Sequence, residues 1–427
     1  MEARHSPPGR VWLCLAVALA MLAAACGPRG VDGGPSPATD LTAEVDRPQH
    51  DPIKLGMATT LSGATALFSD ANRKGAQLAV DELNRAGGVL GRPVQLIIED
   101  DEGQPDVAAD VARDLIDSHG VSALLGPVSS AVAMAVTDVA EDEQVPLILH
   151  TSNNEALTVE AFHRYVVSVA PSTGMEARAQ AIDLSGRDIT RWATIAPNYE
   201  FGQRQTDTFV ETLRDEAPHV EIVAQQWPPL NEPRFEPFIT ALLSANPEAV
   251  YSSLFGSDLV TFSGQAASMR LFDEVLVTAL YDTSVLRELG DRHDLSQVRA
   301  YSRCPFRIET AQMQDFVRTF EQRYGEVPSD WACTAYDAVT LWADVVEEVG
   351  DLNADAFART VAGFSFASLR GQVEVRAIDH QAAVPSYAAD LELDEQRGFY
   401  VHTNITEIPA EDIWLSEAEI REKRGGG

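Results

Sequence analysis

The chain has 427 residues, with 65 acidic side chains against 32 basic ones and a formal net charge of −33. That balance argues against nucleic acid as a partner, because a phosphate-binding face needs a surplus of Lys and Arg. A hydrophobic content of 45% supports packed cores and argues against wholesale disorder, and the length suits two domains of ordinary size.

Residues 1–26 read as a targeting segment. Arg4 and Arg10 form a basic start, and Val11–Leu22 is an apolar run too short for a stable membrane anchor. Ala23-Ala24-Ala25 then leads to Cys26, a pattern that resembles a bacterial lipoprotein signal. The resemblance implies a lipid on Cys26, with plain secretion as the competing reading. The usual leucine three places before the cysteine is displaced to Leu22, and Ala23 stands in its place. Residues 27–52, rich in Gly, Pro, Asp and Thr, read as a flexible tether.

From Ile53 the pattern alternates. Ile53–Thr60 is a predicted strand, followed by the loop Leu61-Ser62-Gly63-Ala64 and a helix over Asn72–Asn84 that stops at Gly87-Gly88. Pro93–Glu99 is a strand and Val107–Ser118 a helix. Val121–Leu125 is an apolar run of the kind buried on both faces of a parallel sheet. Gly126-Pro127 breaks it, Ser129 and Ser130 open a helix over Ala131–Ala140, and Val145–Leu149 is the next strand, ending in the polar loop Thr151-Ser152-Asn153-Asn154. Strands alternating with helices of this length predict a parallel sheet. Small ligands bind outside the carboxyl ends of such strands, often against helix N-termini. The plainer reading of Ser129, Ser130, Thr151 and Asn153 is that they cap helices and turns.

The stretch Val121–Thr158 resembles the branched-chain amino-acid (Leu/Ile/Val) binding family of type I periplasmic binding proteins. The shared pattern is a Gly-Pro-x-Ser-Ser turn, a helix, a Val-Pro-Leu-Ile strand and a polar loop before Ala-Leu-Thr. The opening segment from Leu61 to Pro105, including Asn84–Val94, is similar too, and Glu374–Gln381 resembles a C-terminal signature of a subset of the family. The likeness runs from about Ile53 to Trp414. It implies an α/β fold of two lobes, each a mostly parallel sheet flanked by helices, joined by three crossovers. Residues 53–171 and 303–375 would form the first lobe, and 172–302 and 376–427 the second.

The second αβ series fits that plan. Tyr165–Ala170 leads into the hinge, and Trp192–Ala196, Val220–Gln225, Ala249–Ser253 and Val275–Leu280 are predicted strands. Phe238–Leu243 and Leu259–Met269 are predicted helices, Val298–Pro305 leads back to the first lobe, and Met313–Tyr324 and Ala332–Val349 are helical. His380 is placed on a returning strand, in a structural role.

An amino acid needs partners for both a carboxylate and an ammonium when buried. Carried over residue by residue, the family's ligand positions fall on Phe68, Ser129, Ser130, Thr151, Asn153, Phe201 and Phe255, with the acidic partner of the ammonium at Tyr281 or Asp282. Asn153 replaces a threonine, and Phe201 and Phe255 stand where tyrosine is common. Three phenylalanines make the pocket apolar and open the ligand class to apolar amino acids, small aromatic or aliphatic carboxylates, or amides.

No GxSxG, HExxH, GxxxxGK[ST] or GxGxxG occurs, so an enzyme is not expected. His119, His150 and His163 lack partners at metal-ligand spacing, no CxxC is present, and neither metal nor cofactor is expected. His150, next to the proposed site, either touches ligand or serves the loop. Cys304 and Cys333 form one disulfide or remain two buried thiols. The function implied is an extracytoplasmic, lipid-anchored solute-binding protein that closes on its ligand and docks on the membrane permease of an ABC importer. The alternative is a receptor or sensor domain for a small amide, urea or carboxylate.

Overall fold

The computed structural model describes residues 51–61 and 65–425. The leader with Cys14 and Cys26, the tether up to His50, and the loop residues Ser62, Gly63 and Ala64 lie outside them.

Five strands, β1 (Ile53–Thr59), β2 (Val94–Asp100), β3 (Ala123–Leu125), β4 (Leu147–Leu149) and β5 (Val166–Ser168), pair in parallel in the order β2-β1-β3-β4-β5. Both faces are covered, which is why these strands read as continuous apolar runs. On one face, Leu55, Met57 and Ile148 pack against the helices Ala66–Arg85 and Asp330–Val349. On the other, Leu124, Leu147 and Leu149 meet Ala112, Leu115, Val132 and Val136 of the helices Pro105–Asp117 and Ser130–Asp142.

The next strands are β6 (Arg191–Ile195), β7 (Glu221–Gln226), β8 (Ala249–Ser252), β9 (Leu276–Leu280) and β10 (Val298–Ser302). They run parallel to one another. The hairpin of β11 (Ser365–Ser368) and β12 (Gly371–Glu374) stands apart, while β13 (Ser386–Asp394) and β14 (Phe399–Ile408) extend the second sheet antiparallel beyond β10. The second sheet therefore has the order β14-β13-β10-β9-β8-β6-β7. The chain passes between the two sheets after β5, after β10 and again before β13. The segment Val298–Pro305 does not leave the second sheet at once: Val298–Ser302 is a full strand of it, and the return begins at Arg303.

The helix expected over Asn72–Asn84 starts earlier, at Ala66. Its first turn is fixed by tertiary contacts: Phe68 is buried, and the Ser69 hydroxyl donates to the Thr60 carbonyl at 2.5 Å. Further along, a Cβ on Gly75 would lie 2.0 Å from the carbonyl oxygen of Ala332. Only glycine admits this approach, so the helices Ala66–Arg85 and Asp330–Val349 pack backbone to backbone.

His380 is not on a strand. It sits in a turn with φ of 50°, and its Nδ1 lies 3.0 Å from the Val166 carbonyl oxygen. After β14 the chain comes back to the first lobe. Ile420 of the helix Glu417–Lys423 packs on Val159, and Arg424 donates to the carbonyls of Thr158, Val159 and Ile378 at 2.8–2.9 Å. Among the described residues no helix is long and apolar enough to cross a membrane.

Candidate functional site

A cavity of about 290 Å³ lies where the carboxyl ends of both sheets face each other. The first sheet supplies Thr65 and Phe68 after β1, Val128 to Ala131 after β3, and Thr151 and Asn153 after β4. The second supplies Tyr199 and Phe201 after β6, Leu230 after β7, Phe255 after β8, Leu280 at the end of β9 and Arg303 after β10. Trp331, on the first turn of the helix Asp330–Val349, completes the wall. The volume is at the small end of ligand pockets, which run from roughly 300 to 1,000 Å³.

Seven positions expected from the sequence meet here: Phe68, Ser129, Ser130, Thr151, Asn153, Phe201 and Phe255. Gly126 makes this possible with φ of +91°, turning the chain sharply out of β3. Ser129 occupies the N-cap position of the helix Ser130–Asp142, yet its hydroxyl makes no capping bond. The first-turn N–H groups of this helix thus lie beside the cavity without an intrahelical partner. Thr151 and Asn153 are more committed. The Thr151 hydroxyl donates to Asn72 Oδ1 at 3.1 Å, and Asn153 Nδ2 donates to the Pro171 carbonyl at 3.1 Å.

The apolar wall is a continuous run of rings. Tyr199 stacks on Phe201 at 5.8 Å between centroids, and Phe201 meets Phe255 edge-on at 5.5 Å. Phe255 reaches across the cleft to Phe68 at 6.4 Å, and Phe68 lies 4.4 Å from Trp331.

Arg303 and Trp331 are absent from the sequence-based site, because they lie 28 positions apart and neither belongs to a motif. Arg303 precedes Cys304 and Trp331 lies two positions before Cys333, which was the available signal. Cys304 and Cys333 are bridged, with Cα atoms 6.3 Å apart. Asp330 adds a second fastening, since its Oδ2 accepts from the Ser302 hydroxyl at 2.5 Å, Arg303 N at 2.7 Å and Cys304 N at 3.2 Å. Together they set the Arg303 guanidinium over the Trp331 ring at 4.7 Å.

Arg303 is only 3% exposed. Its Nε donates to Glu176, and its Nη1 donates to the Thr151 carbonyl at 2.7 Å. Glu176 in turn accepts from Gln205 Nε2 at 2.8 Å, and the Tyr251 hydroxyl donates to Gln205 Oε1 at 2.7 Å. Burial holds the Tyr251 phenol well above its usual range, so it stays protonated and serves as donor.

Tyr281 and Asp282 correct the sequence-based expectation, since neither lines the cavity. The Tyr281 hydroxyl turns into the second lobe and meets the Ser263 hydroxyl at 2.9 Å. Asp282 is 1% exposed and caps the helix Thr283–Leu289 by accepting from Ser284 N at 2.7 Å. Burial first, and then the nearby Asp330 carboxylate, push the Asp282 carboxyl up to about 7. His150 is likewise behind the wall, bonded through Nδ1 to the Thr151 hydroxyl at 2.9 Å, and burial depresses it to about 3, so it is neutral. His119 does gain neighbours that sequence spacing does not show. Its Nε2 lies 3.3 Å from Glu99 and 3.6 Å from Asp114, in a half-exposed group away from the cavity wall.

Comparison with known proteins places this architecture. The sequence profile of the family described as periplasmic binding protein matches residues 52–397. The Leu/Ile/Val-binding protein BraC3 of Rhizobium johnstonii is 30% identical over 164 residues, 38% of this chain and 44% of that relative, so the chain spans under half of its length. An ABC-transporter solute-binding protein of R. palustris in complex with benzoate superposes with a TM-score of 0.76 at 23% identity, covering 86% of this chain and 99% of its own. The branched-chain amino-acid transporter substrate-binding protein LivJ of Streptococcus pneumoniae, in complex with isoleucine, gives a TM-score of 0.74 at 22% identity, covering 84% and 100%. With that profile spanning most of the described body, the chain belongs to the periplasmic binding protein family.

Proposed function

We infer that this chain is the solute-binding component of an ABC importer, working outside the cytoplasm and held to the membrane by a lipid on Cys26. Its two lobes, 53–171 with 303–375 and 172–302 with the hairpin β13–β14, would close on a small solute and present the closed form to a membrane permease, with residues 376–385 and 415–425 packed on the first lobe. The observation that carries the reading is the cavity between the carboxyl ends of two separate sheets, with walls drawn from both. A ligand held by both walls stabilises the closed arrangement over the open one by its differential affinity. Relatives of this family bind amino acids or aromatic acids, as the isoleucine and benzoate complexes show for those proteins.

The test is small-angle scattering of the purified protein with and without candidate solutes, together with thermal unfolding. A binder that raises the melting temperature and shrinks the radius of gyration supports capture by closure. A binder that stabilises without compaction refutes the closure mechanism. Labelling with a radioactive fatty acid, compared with Cys26→Ser, tests the anchor, and equal labelling of both would remove it.

A further inference from the structure

The fold accommodates zwitterions and simple acids alike, so the choice rests on this chain's own wall. We propose that the cleft takes a small monocarboxylate with a flat, apolar body and no α-ammonium group, its carboxylate held by Arg303 Nη2 and the first turn of the helix Ser130–Asp142. The proposal rests on the solute-binding reading above and narrows its ligand class.

The argument is an inventory of donors and acceptors. Among the described residues that line the cavity, Arg303 carries the only charged side chain. Its Nε and Nη1 are occupied by Glu176 and the Thr151 carbonyl, and its Nη2 has no partner among the described residues. The uncapped first turn of the helix Ser130–Asp142 lies on the same side of the cavity, because β3 and β4 are adjacent strands and Thr151 and Ser129 follow them. Guanidinium and helix N-terminus both favour an anion.

No carboxylate stands among the lining residues to match an ammonium. The Thr151 carbonyl is spent on Arg303, the Thr151 hydroxyl is tied to Asn72, and the Asn153 amide nitrogen donates to Pro171, which leaves Asn153 Oδ1 as a neutral acceptor. Both oxygens of Glu176 are engaged, by Arg303 and Gln205. Asp282 is buried and does not line the cavity; its Oδ1 caps a helix and its Oδ2 has no partner among the described residues. An ammonium buried here would meet no carboxylate on the cavity wall, and an uncompensated buried charge is strongly unfavourable. The remaining surface is aromatic. Phe68, Phe201, Phe255 and Trp331 offer ring faces and edges at spacings that suit a planar guest.

The experiment is calorimetric titration of the purified protein with benzoate, benzamide, L-phenylalanine and L-leucine. The expected result is benzoate binding at least about tenfold tighter than the other three, equivalent to about 1.4 kcal/mol. Benzamide has the same shape without the charge, and L-phenylalanine adds the ammonium. Because Arg303→Gln alone would strand buried Glu176, the charge is removed from both in Arg303→Gln/Glu176→Gln. That variant, shown folded by circular dichroism, is expected to lose the preference for benzoate over benzamide. Asp282→Asn is expected to leave the benzoate affinity unchanged within about threefold, well under one such tenfold step. Tighter binding of L-leucine or L-phenylalanine, or loss of binding in Asp282→Asn, would overturn the proposal and leave the solute-binding reading standing. Failure of all four probes, and of every candidate solute in the scattering and thermal-unfolding test, would overturn both.

Discussion

Removing the Cys304–Cys333 bridge should lower stability by an amount that its loop length sets. The cysteines are 29 positions apart. Closing a loop of that size removes unfolded-state entropy worth about 3.6 kcal/mol at 25 °C in the chain-entropy treatment. The perturbation is the double variant Cys304→Ala/Cys333→Ala. Both sulfurs are buried in a cluster with Met313, Phe316 and Phe320, and alanine leaves a small void there, so the total loss should reach about 4 kcal/mol or more. Urea unfolding of the oxidised protein and the variant, followed by tryptophan fluorescence, measures it. The bridge also holds the loop carrying Arg303 against the helix carrying Trp331, so ligand affinity should fall with stability. Asp330 still gathers three donors from Ser302, Arg303 and Cys304, so affinity should weaken rather than vanish. Coincident unfolding curves, or separate Cys304 and Cys333 peptides in unreduced digests, would refute this reasoning.

Ser130→Ala should weaken ligand binding by roughly 1–3 kcal/mol, the cost of leaving a buried polar group unmatched; equal affinity by calorimetry would remove Ser130 from the site. Gly75→Ala forces the helix Ala66–Arg85 away from Ala332 and should destabilise by at least about 1–3 kcal/mol, in the range of overpacked cores; denaturant midpoints check it. Asp282 predicts a pH effect. Its carboxyl is raised in the folded state to about 7, so its contribution to stability is complete below about pH 4 and is lost as pH rises through 7. The groups facing it are Asp330, and beyond that His402, which burial keeps neutral. Asp282→Asn should therefore gain stability over the parent between pH 4 and 7, by up to about 4 kcal/mol at 1.4 kcal/mol per pH unit; a difference that is flat with pH would refute the burial argument.

Much of this architecture is legible because buried parallel strands are apolar without interruption. The runs around Leu55, Leu124, Ile148 and Val250 stand out between Gly, Pro and polar loops, and they correspond to β1, β3, β4 and β8. The helix Thr173–Ser185 is harder to see. It is wrapped on nearly every side, with Thr173, Glu176 and Gln180 buried beside Met175 and Ala179, so it has no apolar stripe to betray it. The hairpin β13–β14 adds an antiparallel edge that the αβ alternation does not announce. Within the site, Ser129 and Ser130 show in the sequence as polar residues beyond a buried strand, whereas Phe201 and Phe255 are reached only through the family resemblance. Arg303 and Trp331 meet only through the third dimension, so spacing could not pair them. Asp282 misleads for the converse reason: it follows β9 as a ligand residue would, but the backbone turns it inward to cap the next helix.

The return of the C-terminus to the first lobe has a consequence for how far the molecule can gape. Arg424 clasps three carbonyls there, its guanidinium lies 4.3 Å from the Phe162 ring, and Arg376 holds the Leu415 carbonyl at 2.7 Å. Hinge peptides alone would let the lobes swing over a wide arc. Under the proposed closure, a tail fastened at the far end would act as a leash and shorten that arc, leaving fewer open geometries to compete with the closed one. The apparent affinity of such a receptor is reduced only by the fraction of molecules not ready to bind, so a leash raises affinity without touching the ligand. Deleting residues 414–427 should broaden the unliganded ensemble seen by scattering and weaken every ligand by a common factor. A deletion that changed one ligand and spared another would show that the tail acts on the pocket itself.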